Sequence, residues 1–225
     1  MKILYAIQGT GNGHLTRAKE IIPILKEKGD VDILISGNEC EIQMDYPITY
    51  KLYGLNYTFG KNGGIDFWQT IKKIRLFRFF REIRQLPVKN YDLVINDFEP
   101  VSAWAAKLKN VNCISLSHQN AVLEASSPKK GTHTLEKLIL KYYAPAKYKF
   151  GFHFQSYSSS IFTPIIRKKI RYSNVTNKGH YTVYLPSYDH AKILDVLSEI
   201  PLVKWHVFSK NATQLIFKKN VVIYP

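Results

Sequence analysis

The 225-residue sequence has little of what marks secreted, metal-binding or membrane-spanning proteins. Its only two cysteines, Cys40 and Cys113, stand outside any CxxC or Cys/His spacing, which argues against structural disulfides and against a thiolate metal site. No run approaches the roughly 18 to 20 uncharged apolar residues that a membrane-spanning helix needs, and the N-terminus begins with a strand-like stretch, unlike a signal peptide. We therefore expect a cytoplasmic protein.

Acidic residues are also scarce. The chain has 17 Asp and Glu against 32 Lys and Arg, which gives a formal net charge of +15. This excess favours an anionic partner, and nucleic acid, an anionic bilayer and a phosphorylated substrate all qualify. The hydrophobic content of 45% is enough for a proper core, so composition predicts an ordered globular protein.

Short apolar runs alternate with longer amphipathic segments in the N-terminal part of the chain. This alternation is typical of an α/β fold, in which strand, helix, strand units build a Rossmann-like parallel sheet with helices on both faces. The predicted strands cover residues 3–7, 31–35, 49–52, 93–95, 113–116 and 150–154. The predicted helices cover residues 15–28, 66–86, 100–108 and 135–143.

The pattern changes after residue 154. Residues 156–160 are polar, and a basic, irregular stretch follows at 167–178, which is typical of a linker. A new unit then opens, with a strand, a helix and a strand at 181–185, 189–200 and 203–208. We therefore predict three parts, namely an N-terminal domain, a linker, and the start of a second, incomplete α/β domain, at 1–160, 161–179 and 180–225.

A glycine-rich turn, Gly9-Thr-Gly-Asn-Gly-His14, joins the first strand to the first helix. Glycines let the backbone approach a ligand closely, and the helix N-terminus that follows offers free N–H groups to an anion such as a diphosphate. His14 stands where a dinucleotide fingerprint has its third glycine, and no acidic residue ends the second strand, which weakens an NAD site. The turn also does not match a Walker-type P-loop, because no G-K-[ST] follows its glycines.

His14 and Asp97 are the candidate catalytic residues. His14 fits a general base at the mouth of the sheet, or a residue that only caps the first helix. Asp97 follows a predicted strand, at the edge where open parallel sheets bind ligands, and its carboxylate would orient the imidazole. The alternative for Asp97 is that it caps the helix that begins near Pro100.

Two further loops are predicted at the same edge of the sheet. Residues 117–121 crowd hydrogen-bonding side chains at a strand end, which suits a polyhydroxylated ligand, although such side chains also satisfy loop backbone. Residues 54–64 form a glycine-containing loop long enough to be a mobile binding loop. The residues concerned are His118, Gln119 and Asn120 in the first loop, and Gly60, Gly63 and Gly64 in the second.

Taken in order, these four motifs resemble the GT-B glycosyltransferases, of the type that includes the lipid-linked N-acetylglucosaminyltransferase of peptidoglycan synthesis (family 28-like or family 1-like). The resemblance covers about the first 150 residues and implies that the N-terminal domain binds the acceptor and its diphosphate. That enzyme typically has a glutamate between the histidine and glutamine that are adjacent here, so a different acceptor is expected. The implied acceptor or diphosphate-binding residues are Gly11, Asn12, Gly13, Gly63, Gly64, His118, Gln119 and Asn120.

The resemblance also implies the chemistry. Related natural-product and plant glycosyltransferases use a histidine base held by an aspartate, as proposed for His14 and Asp97, and transfer a hexose with inversion. The donor would be a nucleotide-sugar, by family expectation a UDP-sugar, with no further cofactor and no metal. Ser187 matches the turn that opens the donor-binding domain, while the motif for the donor ribose does not occur before Pro225. The chain alone is therefore expected to be inactive.

Residues 66–84 carry six basic side chains among large apolar ones and predict an amphipathic helix. Its apolar stripe would pack on the sheet, or its outer face would contact anionic lipid headgroups, or it would bind nucleic acid, which fits least well. Contact with lipid suits a lipid-linked acceptor and a peripheral position at the inner face of the membrane, as expected for an enzyme of the cell envelope.

Three functions remain open from the sequence. The first is a glycosyltransferase. The second is a sugar-nucleotide epimerase of the same fold or another nucleotide-binding enzyme. The third is a basic, non-catalytic module for a membrane or nucleic acid, which a salt-dependent interaction with nucleic acid would favour.

Overall fold

The computed structural model describes residues 1–37, 43–55, 74–128, 134–186 and 188–225. These residues form two compact units, of which the first ends at Tyr172 and the second runs from Ser173 to Pro225. The expected domain bounds stay predictions. Residues 161–172, which were expected in the linker, group with the first unit.

The first unit is built on a seven-stranded sheet of order β3-β2-β1-β4-β5-β6-β7. Every pair of neighbouring strands is parallel, which confirms the expected Rossmann-like α/β fold. The chain runs outward from β1 to β3 and then returns to β4 on the other side of β1, so the sheet has its topological switch point between β1 and β4. The strands are β1 Lys2–Gln8, β2 Asp30–Ser36, β3 Tyr50–Leu52, β4 Leu93–Asp97, β5 Cys113–Leu116, β6 Tyr148–Phe152 and β7 Ile161–Phe162.

Helices cover both faces of this sheet, as the sequence predicted. Helix α1 packs on one face through Leu15, Ala18 and Ile22, and α2 and α3 pack on the other. None of the helices in the described part of the chain is both long and apolar enough to cross a membrane. The helices of this unit are α1 Asn12–Lys26, α2 Leu76–Gln85, α3 Pro100–Leu108, α4 His118–Leu123, α5 Thr134–Tyr143 and α6 Lys168–Arg171.

The alternation of the strands assigns their side chains to two cores. In β1, Tyr5 and Ile7 join the core under α1, and Leu4 and Ala6 join the core under α2 and α3. In β4, Ile95 belongs to the core under α1, and Asp97, two residues later, points to the same face. An acidic side chain therefore ends a row of core positions.

The structure corrects several element predictions. Residues 117–121 are not a loop, because α4 begins at His118. Its six residues are too few to show an apolar period, so its polar side chains suggested a loop. The sixth strand begins and ends two residues earlier than predicted, and β7 was missed because only two residues form it. Of the helix predicted at 66–86, the part before residue 74 lies outside the described residues.

The second unit contains a four-stranded sheet of order β10-β11-β9-β8. Strands β8, β9 and β11 are mutually parallel, and β10 pairs antiparallel to β11. Helix α7 packs on one face over a core of Ile193, Val207, Val221 and Ile223. The elements are β8 Tyr181–Tyr184, α7 His190–Ser198, β9 Trp205–Phe208, β10 Ile216–Lys218 and β11 Val221–Tyr224.

We predict that Gly9→Ala destabilises the protein and that Gly13→Ala does not. A Cβ at Gly9 would lie 2.9 Å from both Ile35 Cγ2 and the Ser36 carbonyl oxygen, whereas a Cβ at Gly13 meets nothing within 4 Å. Overpacking at Gly9 should lower the free energy of unfolding by about 1 to 3 kcal/mol. Alanine within the first turn of α1 should raise it by up to about 1 kcal/mol. Urea unfolding of both variants checks this, and equal stabilities would contradict it.

Candidate active site

His14 and Asp97 meet at the switch point of the sheet. Asp97 is the last residue of β4 and pairs in register with Ile7 of β1, while His14 lies in the first turn of the helix that follows β1. The strand pairing therefore brings together residues that are 83 positions apart, and His14 Nδ1 lies 2.9 Å from Asp97 Oδ1. The Asp97 side chain is fully buried, and 12% of the His14 side chain is exposed.

Arg17 completes this group, and sequence reasoning gave it no role. Its Nε donates to Asp97 Oδ2 at 3.0 Å, and its Nη2 lies 2.7 Å from both carboxylate oxygens. The same Nη2 lies 3.1 Å from His14 Nδ1. The spacing of three residues from His14 was the available signal, because it places the two side chains on one face of α1.

The electrostatics of the group favour an ionised Asp97. Burial by itself would raise the pKa of Asp97, but the electrostatic interactions and hydrogen bonds that its carboxylate makes with His14 and Arg17 outweigh burial and hold the pKa below its usual value. An ionised carboxylate only accepts hydrogen bonds, so the His14 tautomer that fits carries its proton on Nδ1. Nε2 then keeps its lone pair, which is the arrangement that a general base needs.

Neither capping alternative describes these residues. Gly11 is the N-cap of α1, no side chain caps that helix, and His14 lies inside it. The N-cap of α3 is Glu99, whose carboxylate accepts hydrogen bonds from the backbone N–H groups of residues 101 and 102 at 2.8 and 2.6 Å. Burial raises the pKa of Glu99 although these hydrogen bonds oppose the rise. Asp97 is therefore available to His14 and Arg17.

The glycine turn presents an open surface beside His14. A Cβ at Gly11 or Gly13 would meet no atom within 4 Å, so packing inside the protein does not require glycine at either position. Asn12 is the first residue of α1, whose N-terminal N–H groups begin here. The turn is thus a place where a negatively charged ligand can approach backbone N–H groups closely.

A buried glutamine holds the turn in place. Gln8, the last residue of β1, is fully buried and donates from Nε2 to Thr10 Oγ1 at 3.2 Å and to Tyr143 Oη at 3.0 Å. The Tyr143 hydroxyl in turn donates to the Leu55 carbonyl oxygen at 2.6 Å. Sequence reasoning missed Gln8, although a polar side chain that ends an apolar strand was a usable signal.

The chain reverses directly after β4. Phe98 has a φ of 57°, which a bulky side chain rarely adopts, and its ring stacks on Tyr143 at 4.7 Å between centroids. Asn96 stabilises the reversal by donating from Nδ2 to the Glu99 carbonyl oxygen at 2.6 Å. Backbone of this kind clusters at functional sites, where the surrounding structure holds it.

The residues predicted at 118–120 lie at the end of β5, beside β4. His118 Nδ1 lies 2.7 Å from the Phe152 carbonyl oxygen, and Asn120 Nδ2 donates to Ser115 and to the Phe150 carbonyl oxygen. Asn120 therefore hydrogen-bonds backbone carbonyl groups of β5 and β6, in line with the alternative that such side chains serve nearby backbone. Gln119 Oε1 is buried and has no partner among the residues that the structure describes.

Three predicted site residues are not described by the structure. They are Gly63, Gly64 and Ser187, which lie outside the described residues. Within the described part of the chain, no three His, Cys, Asp or Glu side chains gather as metal ligands would.

Residues 1–221 match the model of a family described as glycosyl transferase family 1. Among solved structures, the chain is similar to the glycosyltransferase SnogD from Streptomyces nogalater, with 10% identity, a TM-score of 0.47 and coverage of 100% of this chain and 71% of that one. It is also similar to Acinetobacter baumannii MurG, with 18% identity, a TM-score of 0.45 and coverage of 100% of this chain and 67% of that one. A third similar structure is Arabidopsis thaliana UGT89C1 complexed with UDP, with 12% identity, a TM-score of 0.49 and coverage of 100% of this chain and 70% of that one. No curated protein matches the chain significantly.

We predict that Asp97→Asn destabilises the protein at neutral pH and that the difference shrinks in acid. The substitution leaves Arg17 without its carboxylate, which should lower the free energy of unfolding by about 3 kcal/mol at pH 7. Because the folded pKa of Asp97 is depressed, its contribution is complete above the unfolded pKa of about 3.9 and is lost as the pH falls below it.

Urea unfolding of the wild type and of Asp97→Asn at pH 7, 5, 4 and 3 measures this difference. Other carboxylates titrate in both proteins and cancel in the comparison. A difference that stays constant down to pH 3 would contradict an ionised, charge-stabilised Asp97.

Proposed function

We propose that this chain, which belongs to glycosyl transferase family 1, transfers a hexose from a nucleotide-sugar to an acceptor hydroxyl with inversion of the anomeric configuration. The expected donor is a UDP-sugar. The family match supports sugar transfer over the epimerase and the non-catalytic module. The observation that carries the proposal is the hydrogen-bonded pair of His14 and Asp97 at the switch point of the sheet. The catalytic roles assigned to the two residues are part of the proposal.

The proposed reaction uses His14 as the general base. Nε2 takes the proton of the acceptor hydroxyl while the hydroxyl oxygen forms a bond to the anomeric carbon of the donor sugar. The bond from that carbon to the diphosphate breaks, and the nucleoside diphosphate leaves with the bonding electron pair. Asp97 stabilises the imidazolium that forms, and Arg17 helps to keep Asp97 ionised until then.

The glycine turn is proposed to bind the diphosphate of the acceptor. Gly11 and Gly13 leave room for phosphate oxygens, and the α1 N–H groups and helix dipole favour negative charge there. A lipid-linked acceptor would bring such a diphosphate. Transfer is proposed to need no cofactor besides the nucleotide-sugar. The remaining proposed site residues are Asn12, Gly63, Gly64, His118, Gln119 and Asn120 for the acceptor side, and Ser187 for the donor.

Helix α2 is proposed to hold the enzyme against an anionic membrane at the inner face of the cell envelope. Its inner side buries Phe79 and Ile83, whereas Phe77 is 95% exposed and Phe80 is 59% exposed. Positions 77, 80, 81 and 84 lie on one helix face, where Arg81 and Arg84 add two exposed cations. Protruding rings beside cations suit insertion among anionic headgroups.

Glu82, the acidic residue of α2, does not reduce the positive charge of the exposed face that carries Arg81 and Arg84. Glu82 is buried and forms an ion pair with Arg78 at 2.9 Å. It also accepts hydrogen bonds from the Tyr53 and Gly54 backbone N–H groups at 3.0 and 2.9 Å. The sequence left two alternatives for this helix, namely packing on the sheet and contact with lipid. The two are compatible, because they use opposite sides of α2.

Sugar transfer is tested by nucleoside diphosphate release from the full-length protein with UDP-, GDP- and TDP-sugars, each with and without lipid extract. We expect release from one donor that rises with lipid extract. His14→Ala should lower the rate by about 10²- to 10⁴-fold with the fold intact, because the general base is lost.

His180→Ala, which removes a histidine from the second unit, is the matched control and should keep the wild-type rate. A folded protein that releases no nucleoside diphosphate from any donor contradicts transfer. An unchanged rate in His14→Ala contradicts only the role of the base.

Membrane contact is tested by co-sedimentation with vesicles of phosphatidylcholine and phosphatidylglycerol at a 7:3 ratio. The Phe77→Ser/Phe80→Ser variant should bind at least about tenfold more weakly, since two apolar rings no longer insert. Exposed Val196 lies on α7, and Val196→Ser serves as the control that keeps binding. Unchanged vesicle binding in the Phe77→Ser/Phe80→Ser variant would contradict the proposed surface. Equally strong binding of the wild type to vesicles of pure phosphatidylcholine would contradict it too.

A further inference from the structure

Four aromatic or imidazole rings gather just beyond the ends of β5 and β6. His153 contacts Tyr157 edge-on at 5.0 Å and Phe154 at 6.1 Å between ring centroids, and it stacks with His118 at 6.2 Å and 22°. Phe154 is 89% exposed, so its ring contributes little to the core. We call His118, His153, Phe154 and Tyr157 the ring cluster.

The ring cluster lies on the same edge of the sheet as the catalytic pair. Strand β6 is two strands from β4 in the sheet, a lateral distance of roughly 10 Å. Phe152, the last residue of β6, connects the two places: the Arg17 guanidinium lies 5.5 Å from its ring centroid, and its carbonyl oxygen lies 2.7 Å from His118 Nδ1. Both sites therefore face the crevice where an open parallel sheet binds its ligands.

Single exposed apolar side chains are ordinary, but a group of rings at a ligand-binding edge calls for a partner. The cluster combines ring faces, which are apolar, with imidazole nitrogens and a phenol hydroxyl at their rims. A pyranose ring has the complementary chemistry, since axial C–H bonds make one face apolar and hydroxyl groups surround it.

We propose that the ring cluster is a subsite for the acceptor, and that it stacks a pyranose ring adjacent to the one whose hydroxyl faces His14. This inference rests on the proposed sugar transfer and names the acceptor class as a glycoside. Phe154 provides the stacking face, and His153 holds the Phe154 ring through its edge contact. His118 is anchored by the Phe152 carbonyl oxygen, so it supports the stack from the strand side.

Saturation-transfer difference NMR with two probes tests the subsite without any donor. The probes are methyl β-D-glucopyranoside and its 2-acetamido-2-deoxy analogue. In both, the axial protons at C1, C3 and C5 share one face, so stacking should give these protons the strongest signal. Phe154→Ala should reduce that signal about fivefold, and His153→Ala should reduce it less.

Tyr148→Ala is the matched control, because it removes a half-exposed ring from the opposite end of the same strand, and it should leave the signal unchanged. His14→Ala should also keep the signal while it strongly lowers the rate of transfer, which separates this inference from the proposed function. No transfer of saturation in the wild type, or an undiminished signal in a folded Phe154→Ala variant, would overturn the subsite.

Discussion

An ionised carboxylate inside a protein core costs several kcal/mol unless opposite charge and hydrogen bonds reach it. Asp97 is such a group, because it ends a row of β4 side chains that otherwise belongs to the core under α1. The guanidinium of Arg17 and the imidazole of His14, both on α1, supply the opposite charge and the hydrogen bonds that Asp97 needs. The position of α1 against the sheet is therefore tied to the charge of Asp97.

The same helix also carries the glycine turn at its start, so His14, Arg17 and the free N–H groups of the helix N-terminus form one rigid element. Buried polar side chains hold the neighbouring backbone. Gln8 hydrogen-bonds Thr10 and Tyr143 behind the turn, and Glu99 caps α3 directly after the reversal at Phe98. The described part of the site is thus held by strands, helices and buried hydrogen bonds.

The fold and the contact between His14 and Asp97 could be predicted because their signals are local. Apolar runs gave most strands within two residues, and the residue types of His14 and Asp97 at loop boundaries suggested their pairing. Arg17 could not be assigned in the same way, since its role depends on the β1–β4 register that brings Asp97 beneath α1. Helix α4 was mistaken for a loop, and the ring cluster depends on the strand order, which the sequence does not specify.

His14 and Asp97 are joined by the pairing of β1 with β4, and the chain between them does not set their separation. Lengthening a surface connection costs little, since each doubling of a flexible loop adds only about 0.6 kcal/mol of closure entropy. Insertions or deletions between β2 and α2 therefore leave the distance between His14 and Asp97 unchanged. The length of the chain at this point can therefore vary in evolution while the contact between His14 and Asp97 is retained.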